Sequence, residues 1–311
     1  MKKARHFLTL TDISESELRS LLRSAAMAKR QRTRGSPALA GKIVALVFQK
    51  PSMRTRVAFE VAVLQLGGSA IYLGQDDIQL GQREPIKDVA RVLSRYVDAI
   101  VARTFAHNDV EEFARYSAVP VINGLSDSVH PCQALADLLT IQEAFGHLKG
   151  VRVAYVGDGN NVLHSLLQGC GMMGVCVTVA TPPAYRPDPA IWQDAVRLGK
   201  RHGAALQWEA DPRRAVRDAD VVYTDVWVSM GQERQRTQRL KAFTPYQVNT
   251  ALWKHAPRGC RIMHCLPAHR GEEITEQVME HPRSLIFEQA ENRLHAQKAL
   301  LMMLLGKKRT R

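Results

Sequence analysis

Ser52, Met53, Arg54, Thr55 and Arg56 stand shortly after the apolar run Lys42–Phe48. A helix that starts there presents unpaired backbone N–H groups and the positive end of its dipole, which suits phosphate. Ser52 and Thr55 add hydroxyl donors, and Arg54 and Arg56 add guanidinium forks that match phosphate oxygens. Ser52 also reads as an ordinary helix N-cap, with the arginines in solvent. Two arginines in a first turn, where the dipole disfavours cations, argue for an anion. Met53 alone in this group has no side-chain donor for a phosphate.

Other polar residues recur at similar junctions. His130 and Gln133, three positions apart in His130-Pro131-Cys132-Gln133, can lie on one helix face as two donors, or form a capping cluster. Gly157-Asp158-Gly159-Asn160-Asn161 is a glycine turn without the full GxGxxG, so a dinucleotide reading has little support. Asn160 and Asn161 fit as turn residues, and Asn161 fits equally as an amide presented to a polar substrate. Asp225 ends a valine-rich run and suits an ammonium. Ser229, Met230 and Gly231 open a polar segment that reads as a mobile lid or a plain loop. Cys265 follows another apolar run and is either an inert buried thiol or a polarisable neighbour to an amine. Arg293 reads as a further arginine at a helix start.

The elements that must position these residues alternate. Apolar runs at 42–48, 69–74, 98–104 and 119–124 read as strands, separated by helical patterns at 53–66, 85–96 and 108–117. A long helix is expected over 130–145. Strands at 151–159, 175–182, 205–210, 220–227 and 260–267 then alternate with helices at 161–174, 191–203 and 213–217, and a last helix covers 291–305. This rhythm predicts an α/β protein of two doubly wound parallel-sheet domains, with the C-terminal helix packing back on the first. Expected boundaries are 1–147, 148–288 and 289–311. Ligands of such sheets bind at the carboxyl ends of strands, where the polar residues fall.

Composition limits the function classes. The chain has 311 residues, 45% hydrophobic and 23% charged, as a folded protein with sizeable cores requires. No apolar stretch reaches spanning length, and the start carries no secretory signal, so the expectation is a cytoplasmic protein with no membrane partner. The cysteines Cys132, Cys170, Cys176, Cys260 and Cys265 show no zinc-ribbon spacing and read as free thiols. The net charge of +13 gathers partly at Lys2, Lys3 and Arg5, at Lys29, Arg30, Arg32 and Arg34, and in the tail from Lys307. No aromatic residues interleave with these clusters, which argues against a nucleic-acid partner.

The segments 48–56, Arg103-Thr104, 130–133, 157–161, 225–233 and 264–267 closely resemble the carbamoyltransferase family, in order and over nearly the whole chain. SxRTR with HPxQ marks the family in general, and DxxxSMG with HCLP its ornithine branch. The resemblance implies carbamoyl phosphate contacts from Ser52, Met53, Arg54, Thr55, Arg103, His130, Gln133, Cys265, Leu266 and Arg293, and from Gln79 lent by a neighbouring subunit. It implies ornithine contacts from Asn161, Asp225, Ser229 and Met230. Arg54, Arg103, His130 and Cys265 would be the catalytic groups, with Cys265 accepting a proton or orienting the amine. It also implies a homo-oligomer, trimeric or a multiple of trimers, and no cofactor or metal, since carbamoyl phosphate brings its own leaving group. The family loop usually reads STRTR, and Met53 departs from it. Rival acceptors are putrescine and acetylornithine, and a rival class is a basic nucleotide- or RNA-binding α/β protein.

Overall fold

The computed structural model describes residues 4–31, 37–81, 83–229 and 231–306. Lys2, Lys3, Arg32, Arg34, Met230 and the basic tail from Lys307 lie outside the described residues. The chain forms two compact units, Met1–Leu139 with Glu291–Arg311, and Thr140–Ala290. The first division falls inside the helix Pro131–Phe145 and the second inside the helix Ile286–Leu305. The expected division at 147/148 lies just past the end of that first helix.

Unit one holds a parallel sheet of β1 (Ile43–Phe48), β2 (Ser69–Leu73), β3 (Ala99–Arg103) and β4 (Val121–Leu125), in the order β2-β1-β3-β4. Val44 to Phe48 are all buried, as a strand covered on both faces requires. Chain direction across the sheet reverses between β1 and β3, where Phe48 pairs with Arg103. Such a reversal opens a crevice at the strands' carboxyl ends.

Unit two repeats the design with β5 (Arg152–Val156), β6 (Cys176–Ala180), β7 (Leu206–Trp208), β8 (Val221–Thr224) and β9 (Arg261–His264), in the order β7-β6-β5-β8-β9. All its pairings are parallel, and the reversal lies between β5 and β8. The doubly wound expectation therefore holds for both units. The residues of the C-terminal helix from Glu291 onward belong to unit one, as expected.

Two expectations are corrected. Arg293 is not at a helix start: the last helix begins at Ile286, so Arg293 sits two turns inside it. No proline or glycine interrupts 286–305, and Glu288, Gln289 and Ala290 propagate the helix well. The chain also forms a helix before β1, Glu15–Arg30, which the apolar runs did not suggest. Its signal was the capping box: Ser14 accepts from the Glu17 N–H while Glu17 accepts from that of Ser14.

Candidate active site

In unit one the helix Met53–Gln65 starts directly beyond β1. Ser52 is its N-cap, with its Oγ accepting from the Thr55 N–H at 3.3 Å. Both readings of Ser52 are thus compatible, because the cap fixes the N-terminal N–H groups while the helix end stays open to an anion. Thr55 is buried, and its Oγ1 accepts from Ser52 Oγ at 3.1 Å and from Arg293 Nη2 at 2.6 Å. With both lone pairs accepting, the Thr55 hydroxyl proton is available to a ligand oxygen. Arg293 Nη1 donates to Gln133 Oε1 at 2.6 Å, and Gln133 Nε2 donates to Asp137 at 2.9 Å.

Arg103 ends β3, is 8% exposed, and its buried Nε has no hydrogen-bond partner among the described residues. Burial, with the charges of Arg293 and Arg54 close by, pulls its guanidinium down to about 9. Burial and the charges of Arg293 and Arg103 hold His130 well below the ordinary imidazole value, so it is neutral at pH 7. Unit one therefore gathers Ser52, Arg54, Thr55, Arg103, His130, Gln133 and Arg293 around a concentration of positive charge.

Arg56 lies outside this network. It pairs with Glu60 at 2.9 Å and stacks over the Tyr72 ring at 3.7 Å. Met53 is 69% exposed. Gln79 is exposed and takes a left-handed conformation, φ 42°, after the short helix Gln75–Ile78.

In unit two Asp225 follows β8 and is 4% exposed. Its Oδ1 accepts from Cys265 Sγ at 2.9 Å and its Oδ2 from Asn160 Nδ2 at 2.7 Å. Asn160 is also the N-cap of the helix Asn161–Met173, its Oδ1 accepting from Val162 and Leu163. Sequence reasoning offered Asn161 to the substrate and missed that Asn160 fixes the carboxylate beside it. Gly159 has a steric reason: a Cβ there would collide with the backbone of Arg186 and Pro187. Leu266, half-buried with φ 59°, donates its N–H to His264 Nδ1 at 2.8 Å.

The segment after Asp225 is tied down by a residue the sequence did not flag. Arg239, 4% exposed, donates from Nε to the Trp227 carbonyl at 2.6 Å and pairs with buried Asp158. Its guanidinium also lies over the Tyr185 ring at 4.7 Å. Burial pushes Asp158 up to about 7, against the pull of Arg239. Ser229 and Gln232 bond reciprocally, each at 3.0 Å, and the Gly231 N–H donates to Glu233.

Protein-family models match both units. Residues 5–143 match the aspartate/ornithine carbamoyltransferase carbamoyl-P binding domain, and residues 149–304 the Asp/Orn binding domain of the same family. The chain belongs to the aspartate/ornithine carbamoyltransferase family. It is 54% identical over 306 residues to the ornithine carbamoyltransferase of Pyrococcus horikoshii, covering 98% of this chain and 96% of that one. It is 54% identical over 304 residues to the ornithine carbamoyltransferase, anabolic, of Pyrococcus furiosus, covering 97% and 96%. The solved ornithine carbamoyltransferase from Pyrococcus furiosus superposes with a TM-score of 0.95 at 52% identity over 98% of each chain. The solved Gloeobacter violaceus ornithine carbamoyltransferase gives 0.88 at 50% identity, covering 98% of this chain and 100% of that one. The family resemblance read from the motifs is thereby established over both units.

No described helix is long and apolar enough to cross a membrane. Part of the basic surface is engaged internally: Arg5 pairs with Glu17 at 2.7 Å and Lys29 donates to Asn292 at 2.8 Å.

Proposed function

We propose that the chain transfers the carbamoyl group of carbamoyl phosphate to the δ-amino group of L-ornithine, giving L-citrulline and phosphate. The names of its relatives support this reading. The observation that carries it is Arg103, 8% exposed with its buried Nε lacking a hydrogen-bond partner among the described residues, its guanidinium pulled down to about 9 by burial and by Arg293 and Arg54. A phosphate dianion seated there relieves that repulsion and restores the guanidinium's normal basicity.

On this reading residues 1–147 bind carbamoyl phosphate, residues 148–288 bind ornithine, and 289–311 add the C-terminal helix and tail. The backbone N–H groups at Met53 and Arg54, with Ser52, Arg54, Thr55, Arg103 and Arg293, hold the phosphate and stabilise its charge as it leaves. The exposed Met53 side chain fits a position where the main chain does the binding. His130, neutral, and Gln133 donate toward the carbamoyl group. Cys265 and Leu266 add contacts to carbamoyl phosphate, and Gln79 is lent by a neighbouring subunit of a trimer or multiple of trimers in the cytoplasm. Asn161, Asp225, Ser229 and Met230 bind ornithine.

The neutral δ-amine attacks the carbamoyl carbon, the bond from that carbon to the phosphate oxygen breaks, and the proton lost from the δ-nitrogen passes to the departing phosphate. Asp225 and Cys265, already hydrogen-bonded together, orient the amines. Positioning two substrates supplies much of the acceleration, and closure of 229–233 excludes water.

The test is citrulline formation with steady-state kinetics in both directions, alongside putrescine and acetylornithine as acceptors. Ornithine should dominate. A preference for another amine, or no ureido product, would sink the assignment. Light scattering of the purified chain checks the trimer.

A further inference from the structure

We propose that His269, Glu272 and Glu273 form a binding site for one divalent first-row transition cation of the Zn2+ kind. The three residues lie on the turn that follows β9. One ring nitrogen of His269 and one oxygen of each glutamate fall within 4.8 Å of one another.

Glu273 carries the case. It is 0% exposed, and its Oε1 accepts from the His269 N–H at 2.6 Å and faces His264 Nε2 at 3.1 Å. Its Oε2 is buried with no hydrogen-bond partner among the described residues. A buried carboxylate oxygen left in that state is costly unless a cation meets it. Glu272 Oε2 and His269 Nδ1 are also buried and without hydrogen-bond partners among the described residues. They lie 3.7 Å apart, too far for a hydrogen bond. Two donors each ~2.1 Å from a shared ion sit roughly 3–4 Å apart, so the spacing suits joint ligation.

The charges agree. Two carboxylates converge, and Arg236 pairs with Glu272 alone. A divalent ion removes the remaining like-charge repulsion. The ligands are also held from behind: Glu273 by His264, and Glu272 by Arg236. Gly271, with φ 92°, makes the tight turn that brings His269 and Glu272 together, the Glu272 N–H donating to the His269 carbonyl at 2.8 Å. One imidazole nitrogen with two carboxylate oxygens suits Zn2+, Co2+ or Mn2+ better than the all-oxygen ligation of Mg2+ or Ca2+.

A second set, Asp225, His264 and Cys265, has similar spacing. There His264 Nδ1 already accepts from the Leu266 N–H, its Nε2 faces Glu273, and Asp225 and Cys265 are bonded together. That set would have to break existing bonds to take an ion, whereas His269 Nδ1, Glu272 Oε2 and Glu273 Oε2 have no hydrogen-bond partner among the described residues.

Co2+ separates the two. The full chain, stripped with chelator, is titrated with Co2+ by calorimetry and visible absorption. We expect a single equivalent, weak ligand-field bands without a thiolate charge-transfer band, and a rise in Tm. His269→Ala and Glu272→Gln should each weaken binding at least about tenfold, while Cys265→Ala leaves it unchanged. A thiolate band that Cys265→Ala abolishes would put the ion at Asp225 and overturn the proposal. Absence of binding to the native chain overturns it too, as does binding that both His269→Ala and Glu272→Gln retain. Far-UV circular dichroism checks that each variant is folded, and the two variants test the site independently.

Discussion

The two strand-reversal crevices treat charge in opposite ways. Around Arg103 in unit one, guanidinium groups crowd together and one of them is pulled down to about 9. Around Asp225 in unit two, each carboxylate oxygen already has a donor, Cys265 or Asn160. The neighbouring Asp158 has Arg239 as a fixed counter-ion. The same fold thus supports one crevice where positive charges crowd and one where a carboxylate is fully hydrogen-bonded.

Breaking the internal pairing of unit two should have the largest effect. Arg239→Met leaves Asp158 buried and unpaired and should cost about 3–5 kcal/mol in urea unfolding. The unfolded carboxyl ionises above 3.8, whereas the folded one, already at about 7 with Arg239 present, moves higher still without it. The deficit should therefore be larger at pH 8 than at pH 5, and a pH-independent deficit would contradict the pairing.

Removing charge from unit one should act on catalysis instead. Arg54→Gly should lower kcat/KM for carbamoyl phosphate by roughly 10²–10³-fold with little change in Tm. Cys265→Ala is milder, raising the KM for ornithine by about tenfold and that for carbamoyl phosphate by less. An equal effect on both substrates would blur the division of labour.

His130 probes unit one through pH. Its folded imidazole resists protonation, while the unfolded one titrates near 6.5. Below that value the unfolded chain binds a proton that the folded chain refuses, so stability falls as pH falls, by at most ~1.4 kcal/mol per pH unit. His130→Gln should flatten this acid limb in thermal melts. The smallest effect belongs to Met53→Thr, which should alter kcat/KM by no more than about twofold if the backbone N–H does the binding.

Much of this was legible in the chain. The βα rhythm, SMRTR beyond β1, Asp225 beyond β8 and Cys265 beyond β9 are local patterns, and local patterns survive folding when strand ends and helix starts share one period. Arg293 was found by residue type but misplaced by element, because 286–290 carries no stop signal and no cap that marks its start. The helix Glu15–Arg30 was missed although its capping box is plain at Ser14 and Glu17.

The sequence by itself determined the fold class, the family and the residue types at each strand end, because these depend on periodicity and on contiguous motifs. Tertiary structure alone decided the partnerships: Arg293 with Thr55 and Gln133, Asn160 and Cys265 on one carboxylate, Arg239 on Asp158. These pairs are far apart along the chain or differ by one residue in a polar run. No spacing rule selects them, and only the register of parallel strands and the direction of each side chain bring them together.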